Sequence, residues 1–234
     1  MAAAIRTARP STPGTLWSST IGKKAVMAVT GVVMLGFLLI HMYGNLKIFF
    51  GASVFDSYAG WLRTIGEPVL HRTWYLWIQR VVLAVCAVLH AVSAYQLSRR
   101  DLRARGQGYV HRPPAGPSFA TRTMRWGGVI LLLFLVWHIL DLTTGTVNPL
   151  GEAGHPYENI VADFRDWWSD VIYIVAMAAL GLHVRHGFWS AAQTLGGNGP
   201  RSGPIFKTAS WVLALVLFAG FVTVPVAVMI GAVR

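Results

Sequence analysis

A chain of 234 residues that is 54% hydrophobic and only 12% charged lies outside the range of soluble domains, in which about a quarter of residues carry charge. The formal charge is +11, but the basic residues sit in a few loops between apolar runs, without the groove-like interleaving with aromatics that nucleic acid requires, so a lipid bilayer is expected and nucleic acid is not. A lone cysteine, Cys86, excludes an intrachain disulfide and any cluster held by four cysteines of this chain.

Residues 1–20 combine Ala, Ser, Thr and Pro with Arg6 and Arg9 and contain no apolar run. They lack the apolar core of a signal peptide and are expected to be retained as a flexible cytoplasmic N-terminal segment. Residues 21–234 are expected to form one five-helix transmembrane domain. Five runs approach or exceed the roughly 20 residues that cross hydrocarbon at about 1.5 Å per residue. They are Ala25 to Tyr43, Trp74 to Leu97, Gly127 to Leu142 (from Met124 with its interfacial turn), Trp168 to Trp189, and Ala209 to Val233. Lipid offers no partner to an open backbone, so each must be helical and the fold class is all-α. The Asn45 to Arg72 connection, with Tyr58, Leu62, Pro68 and Val69, is too apolar for a solvated loop and is expected to lie on the outer surface as a short amphipathic helix. Gly106 to Pro117 reads as a polar Pro/Gly linker, and no internal repeat stands out.

Lys and Arg near the span ends set the orientation. Arg6, Arg9, Lys23 and Lys24 precede the first span. Arg99, Arg100, Arg103, Arg105, Arg112, Arg122 and Arg125 follow the second, and Arg185, Arg201 and Lys207 flank the end of the fourth. Those segments are assigned to the cytoplasm. The loop after the third span carries Asp141, Glu152, Glu158, Asp163 and Asp170 against Arg165, and is assigned outside. The N-terminus is therefore expected inside and the C-terminus outside. Trp17, Trp61, Trp74, Trp77, Trp126, Trp167 and Trp168 fall near span ends, as an interfacial aromatic belt requires.

His41, His90, His138 and His183 fall one to each of the first four spans, and His186 follows His183. Ionisable side chains at membrane depth are costly and tend to be functional. Counted from the cytoplasmic ends, His41 lies roughly 25 Å deep and His138 roughly 20 Å, whereas His90 and His183 lie about 10 Å deep. The four resolve into an outer pair, His41 with His138, and an inner pair, His90 with His183. Two imidazoles at one level between apolar helices are what a b-type haem needs, so two haem b groups are expected, about 10–15 Å apart along the helices. Zinc fits less well because four ligands would have to gather at one level, and a Rieske cluster needs two cysteines. Spacing alone does not choose between His183 and His186, which share a face. Arg80 inside the second span is a candidate partner for propionates of the outer haem, and Arg185 and His186 for those of the inner. Asp141, one turn beyond His138, and Glu67 and Asp56 in the outer connection are candidates for relaying protons to a quinone.

On these residues the chain resembles the single-subunit, five-helix, dihaem cytochrome b anchor of succinate dehydrogenases and fumarate reductases, closest in wording to actinobacterial members. The resemblance rests on His41-Met-Tyr-Gly-Asn45-Leu with Phe49-Phe-Gly, on Tyr58-Ala-Gly-Trp-Leu62, and on His90, His138 and Leu182-His183-Val-Arg-His186-Gly187. It covers nearly the whole chain after the first twenty residues. It implies that His183, four before Gly187, is the helix-four ligand, and that the first haem-bearing helix pairs with the third and the second with the fourth. It further implies a flavoprotein subunit that oxidises succinate, an iron–sulfur subunit docked on the cytoplasmic face, and menaquinone as the electron acceptor. The setting would be the bacterial cytoplasmic membrane, with a higher oligomer of the complex open. On this reading the chain is the non-flavin subunit of an enzyme and has no succinate site of its own. The alternatives are the dihaem anchor of another quinone-linked enzyme, such as a formate dehydrogenase or hydrogenase, and a haem-free transporter or assembly protein.

Overall fold

The structure is a computed structural model that describes residues 19–104, 119–197 and 199–234, with backbone alone at residues 119–122. The expected N-terminal segment up to residue 18, with Arg6, Arg9 and Trp17, lies outside the described residues, as do the Gly106–Pro117 linker, Arg105 and Arg112. The same holds for the side chain of Arg122.

Ser19 starts the first helix by accepting the Gly22 N–H on its hydroxyl at 2.9 Å, which satisfies one of the open donors of the first turn. Helix α1 (Thr20–Leu46) runs into a 3₁₀ turn at Lys47–Phe50, and Gly51, at φ +89°, reverses the chain into α2 (Ala52–Leu62). Next come α3 (Trp74–Ala104) and α4 (Phe119–His138), which widens into a π turn at Ile139–Thr143. A short α5 (Pro156–Asp163), α6 (Trp167–Thr194) and α7 (Ser202–Met229) complete the chain, and the described residues contain no strand. Five of these helical segments are long and apolar enough to cross a membrane: Thr20–Phe50, Trp74–Ala104, Thr123–Thr143, Trp167–Thr194 and Ser202–Met229.

The helices outrun the apolar runs that announce them. Helix α7 begins at Ser202, ahead of the expected Ala209, because Gly203, Pro204 and Lys207 are compatible with a first turn but lower local hydropathy. Helix α2 fills part of the Asn45 to Arg72 connection, where a helix was expected. Helix α5 was not expected, although Pro156 at its first position and Tyr157, Ile160 and Val161 at helical spacing carry a helix signature.

Two apolar clusters hold the bundle. One, at the end of the bundle that carries α2 and α5, joins Ile48 and Phe55 to Tyr157 and Val161 of α5, to Phe164 just after it and to Val224 and Val228 of α7. The other joins Ala176, Met177, Leu180 and Val184 of α6 to Leu217 of α7 and to Leu38 and Met42 of α1. Helix α6 packs on α1, α4 and α7, and α1 packs on α3, α6 and α7. By contrast, α1 with α4 and α3 with α6 are not among the closely packed helix pairs. At the other end Arg100 reaches Thr20 at 3.3 Å and Arg125 reaches Asp101 at 3.9 Å, tying α3 to its neighbours. Large apolar side chains such as Val88, Trp126 and Leu133 stay exposed, as a surface bathed in hydrocarbon permits.

Candidate cofactor site

The histidines meet between α1 and α4 and between α3 and α6. His41 of α1 faces His138 of α4 with ring centroids 5.9 Å apart and planes at 79°. His90 of α3 faces His183 of α6 at 6.1 Å and 56°. His183, not His186, is therefore the α6 ring opposite His90. His186 sits 3.5 Å from Arg185, whose guanidinium lies over Trp211 of α7 at 3.8 Å.

Hydrogen bonds fix which nitrogen carries the proton on one ring of each pair. His90 Nδ1 is 3.0 Å from the carbonyl of Met27 and 3.3 Å from Thr30 Oγ1. A carbonyl only accepts, so Nδ1 carries the proton and Nε2 keeps its lone pair. In the outer pair, Tyr173 Oη donates to Asp141 Oδ2 at 2.7 Å and lies 3.3 Å from His138 Nδ1. Its hydroxyl hydrogen is committed to the carboxylate, so the phenol oxygen accepts from His138 Nδ1–H, and again Nε2 keeps its lone pair. Metal-bound imidazoles usually have their second nitrogen held in this way.

The walls are apolar and flat. Phe37 stacks on His41 at 5.2 Å, Phe221 lies 5.9 Å from it, and Phe134 stacks on His138 at 5.7 Å. Glycine replaces a side chain where helices pass the inner pair. A Cβ on Gly31 would stand 3.3 Å from His90 Cε1, and one on Gly128 would stand 4.0 Å from His183 Cε1. Gly31 precedes His41 by the same ten positions that separate Gly128 from His138. Ten residues of helix rise about 15 Å, so each of these two helices passes one level with a histidine and the other with a glycine.

These residues fit haem. Two imidazoles on opposite sides of one iron, with bonds of about 2 Å, place their centroids about 6 Å apart, as both pairs do. His183 Nδ1 is buried without a hydrogen-bond partner. Among the described residues no group of three or more His, Cys, Asp or Glu is placed to hold a bare metal ion. A haem iron, with four ring nitrogens of its own, asks for only two.

The other sequence candidates are scattered. Arg80 is exposed on α3 with its guanidinium 5.0 Å from the Trp77 ring, and Glu67 is exposed in the turn after α2. Asp56 Oδ1 accepts the Tyr157 N–H at 3.1 Å and so caps α5 from another helix. Asp141, in contrast, is 1% exposed in the π turn, between Tyr173 and Asn148. Asp163, 1% exposed, and Asp170, 3% exposed, are buried as well. Sequence reasoning counted Asp163 and Asp170 only as charges of the loop and passed over Tyr173, Gly31 and Gly128 as site residues, although the ten-residue glycine–histidine interval on two helices was there to be read. Comparison with family models, curated proteins and solved structures gives no match to this chain.

Proposed function

We propose that the chain is the membrane-anchor cytochrome b subunit of a succinate:quinone oxidoreductase in a bacterial cytoplasmic membrane, with its N-terminus in the cytoplasm and its C-terminus outside. The observation that carries the haem part of this reading is the meeting of four imidazoles, two by two, between α1 and α4 and between α3 and α6. The motifs around His41, Tyr58 and His183 supply the choice among quinone-linked enzymes. His90 and His183 would hold one haem b and His41 and His138 the other. Such groups supply reversible one-electron transfer at two heights in the bilayer. The chain's own part is to fix the imidazoles, through Met27 and Thr30 at one level and Tyr173 at the other, and to exclude water with Phe37, Phe134 and Phe221. Arg80 and Arg185 are the cations proposed to answer propionates, and Glu67 and Asp141 the acids proposed to serve a quinone, menaquinone by resemblance. A flavoprotein subunit and an iron–sulfur subunit would dock on the basic cytoplasmic side, and succinate would be oxidised there, not on this chain.

The test is purification of the chain from its native membrane, with a reduced-minus-oxidised spectrum and identification of the co-purifying subunits. A b-type alpha band with a flavoprotein and an iron–sulfur protein is the expected result. A b-type band with a formate dehydrogenase or hydrogenase subunit reassigns the complex, and a chain without the band overturns the cytochrome reading.

A further inference from the structure

An electron can cross an apolar gap, but a proton needs a contiguous chain of polar groups, and one leads away from His138. Its Nδ1 meets Tyr173 Oη at 3.3 Å, and Tyr173 donates to Asp141 Oδ2 at 2.7 Å. Asp141 Oδ1 accepts from Asn148 Nδ2 at 2.9 Å, so both oxygens of Asp141 have donors. Behind it, Asp163 Oδ1 accepts from Ser169 Oγ at 2.7 Å, while Asp163 Oδ2 is buried with no donor. Asp163 and Asp141 are neighbours close enough to interact, and both act on Tyr173. Two ionised carboxylates in such contact, both out of water, repel each other, and a single proton between them removes the repulsion. The same proton supplies the donor that the orphaned oxygen lacks.

The charged and titratable groups around the pair point the same way. Tyr173 of α6 and Asp166 of the turn before it face the pair. Asp170 lies on α6, and Glu158 and the capping Asp56 lie at the far end of α5. Helices α7 and α2 contribute Val224, Val228 and Phe55 to the surrounding cluster, and Arg165 is exposed. Burial pushes the Asp163 carboxyl up to about 7, the Ser169 hydroxyl opposing and Asp141 adding to the rise.

We propose that Asp141 and Asp163 share one proton and form a proton-holding site joined to His138 through Tyr173. The site itself rests on the carboxyl geometry, and only its link to an iron at His41 and His138 rests on the cytochrome reading. The link makes the outer histidine pair responsive to pH.

The experiment is infrared spectroscopy of the purified complex in lipid nanodiscs, with isotope-labelled aspartate, titrated with pH. A protonated-carboxyl band that persists well above about 4, the ordinary carboxylate range, and disappears in both Asp141→Asn and Asp163→Asn is the expected result. A wild type without such a band, or a band that survives in both variants, overturns the shared proton, and the wild-type titration decides the first of these without any variant. In redox titrations the outer midpoint potential should vary with pH in the wild type and lose that dependence in Tyr173→Phe, with the infrared band retained. Unchanged dependence in Tyr173→Phe overturns the link. A protein that shows the band but binds no haem refutes the cytochrome reading and leaves the carboxyl site standing.

Discussion

The two histidine pairs have nearly the same ring separation and opposite surroundings. In the inner pair His90 is oriented by backbone and hydroxyl oxygens of α1, at Met27 and Thr30, and the pair is flanked by glycines. In the outer pair His138 is oriented by a phenol that leans on a buried carboxylate, and the pair is flanked by aromatic rings. The difference shows how one bundle can hold similar ligand pairs at two depths and still give them different electrostatics. A carbonyl is a fixed dipole, whereas a carboxylate reached through a hydroxyl is a charge that can be switched.

The largest effect should come from removing a ligand. His41→Ala and His90→Ala should each lower haem content by roughly half, measured by haem extraction, and should remove different spectral components. Identical losses of both components in either variant would mean that the two levels are not independent. Next, Gly31→Val should disturb the inner component alone, at about 1–3 kcal/mol in stability, because the first added carbon already meets His90 at 3.3 Å. Gly128→Ala, with 4.0 Å to His183, should be tolerated, as heme spectra and thermal unfolding of the two variants would show.

Tyr173→Phe leaves one oxygen of Asp141 without its donor and should destabilise the protein by about 1–3 kcal/mol. Asp56→Ala, which uncaps α5, should have the smaller effect of about 1 kcal/mol, seen as faster amide exchange confined to α5. Asp163 gives the end of the bundle around α5 a pH dependence of its own. Its folded carboxyl holds a proton up to about 7, against 3.8 in an ordinary setting, so the folded state binds more protons than the unfolded one between those values. Stability from this group is therefore full below about 4, falls as pH rises to about 7, and is flat beyond. Amide exchange of α5 at a series of pH values should follow that slope, and Asp163→Asn should flatten it.

Much of this contrast was legible in the sequence, unevenly. Five apolar runs announce five helices because hydrocarbon tolerates little else, and counting rises along them was enough to sort His41 with His138 and His90 with His183. Helix ends were less legible. Hydropathy marks the apolar middle of a helix, whereas Ser202 to Lys207 are helical through backbone bonding that hydropathy does not register. The end around α5 was least legible. Asp163 looks like a loop acid, yet it is the last residue of α5 and is 1% exposed. Its neighbours Val161 and Phe164 lie in a cluster that draws Phe55 from α2 and Val224 from α7, remote in sequence. Choosing His183 over His186 likewise needed the rotation of α6, which a spacing of three cannot supply.

The π turn after His138 has a consequence of its own. There the Thr144 N–H reaches back to the Ile139 carbonyl at 2.9 Å, five residues instead of four, so the helix absorbs an extra residue. Each residue of ordinary helix advances about 100° around the axis. Deleting Leu140 and restoring regular winding would leave His138 aimed at α1 while swinging Asp141 away from Tyr173. The widened turn thus acts as a swivel, letting one end of α4 keep its ligand in line while the other is re-aimed independently.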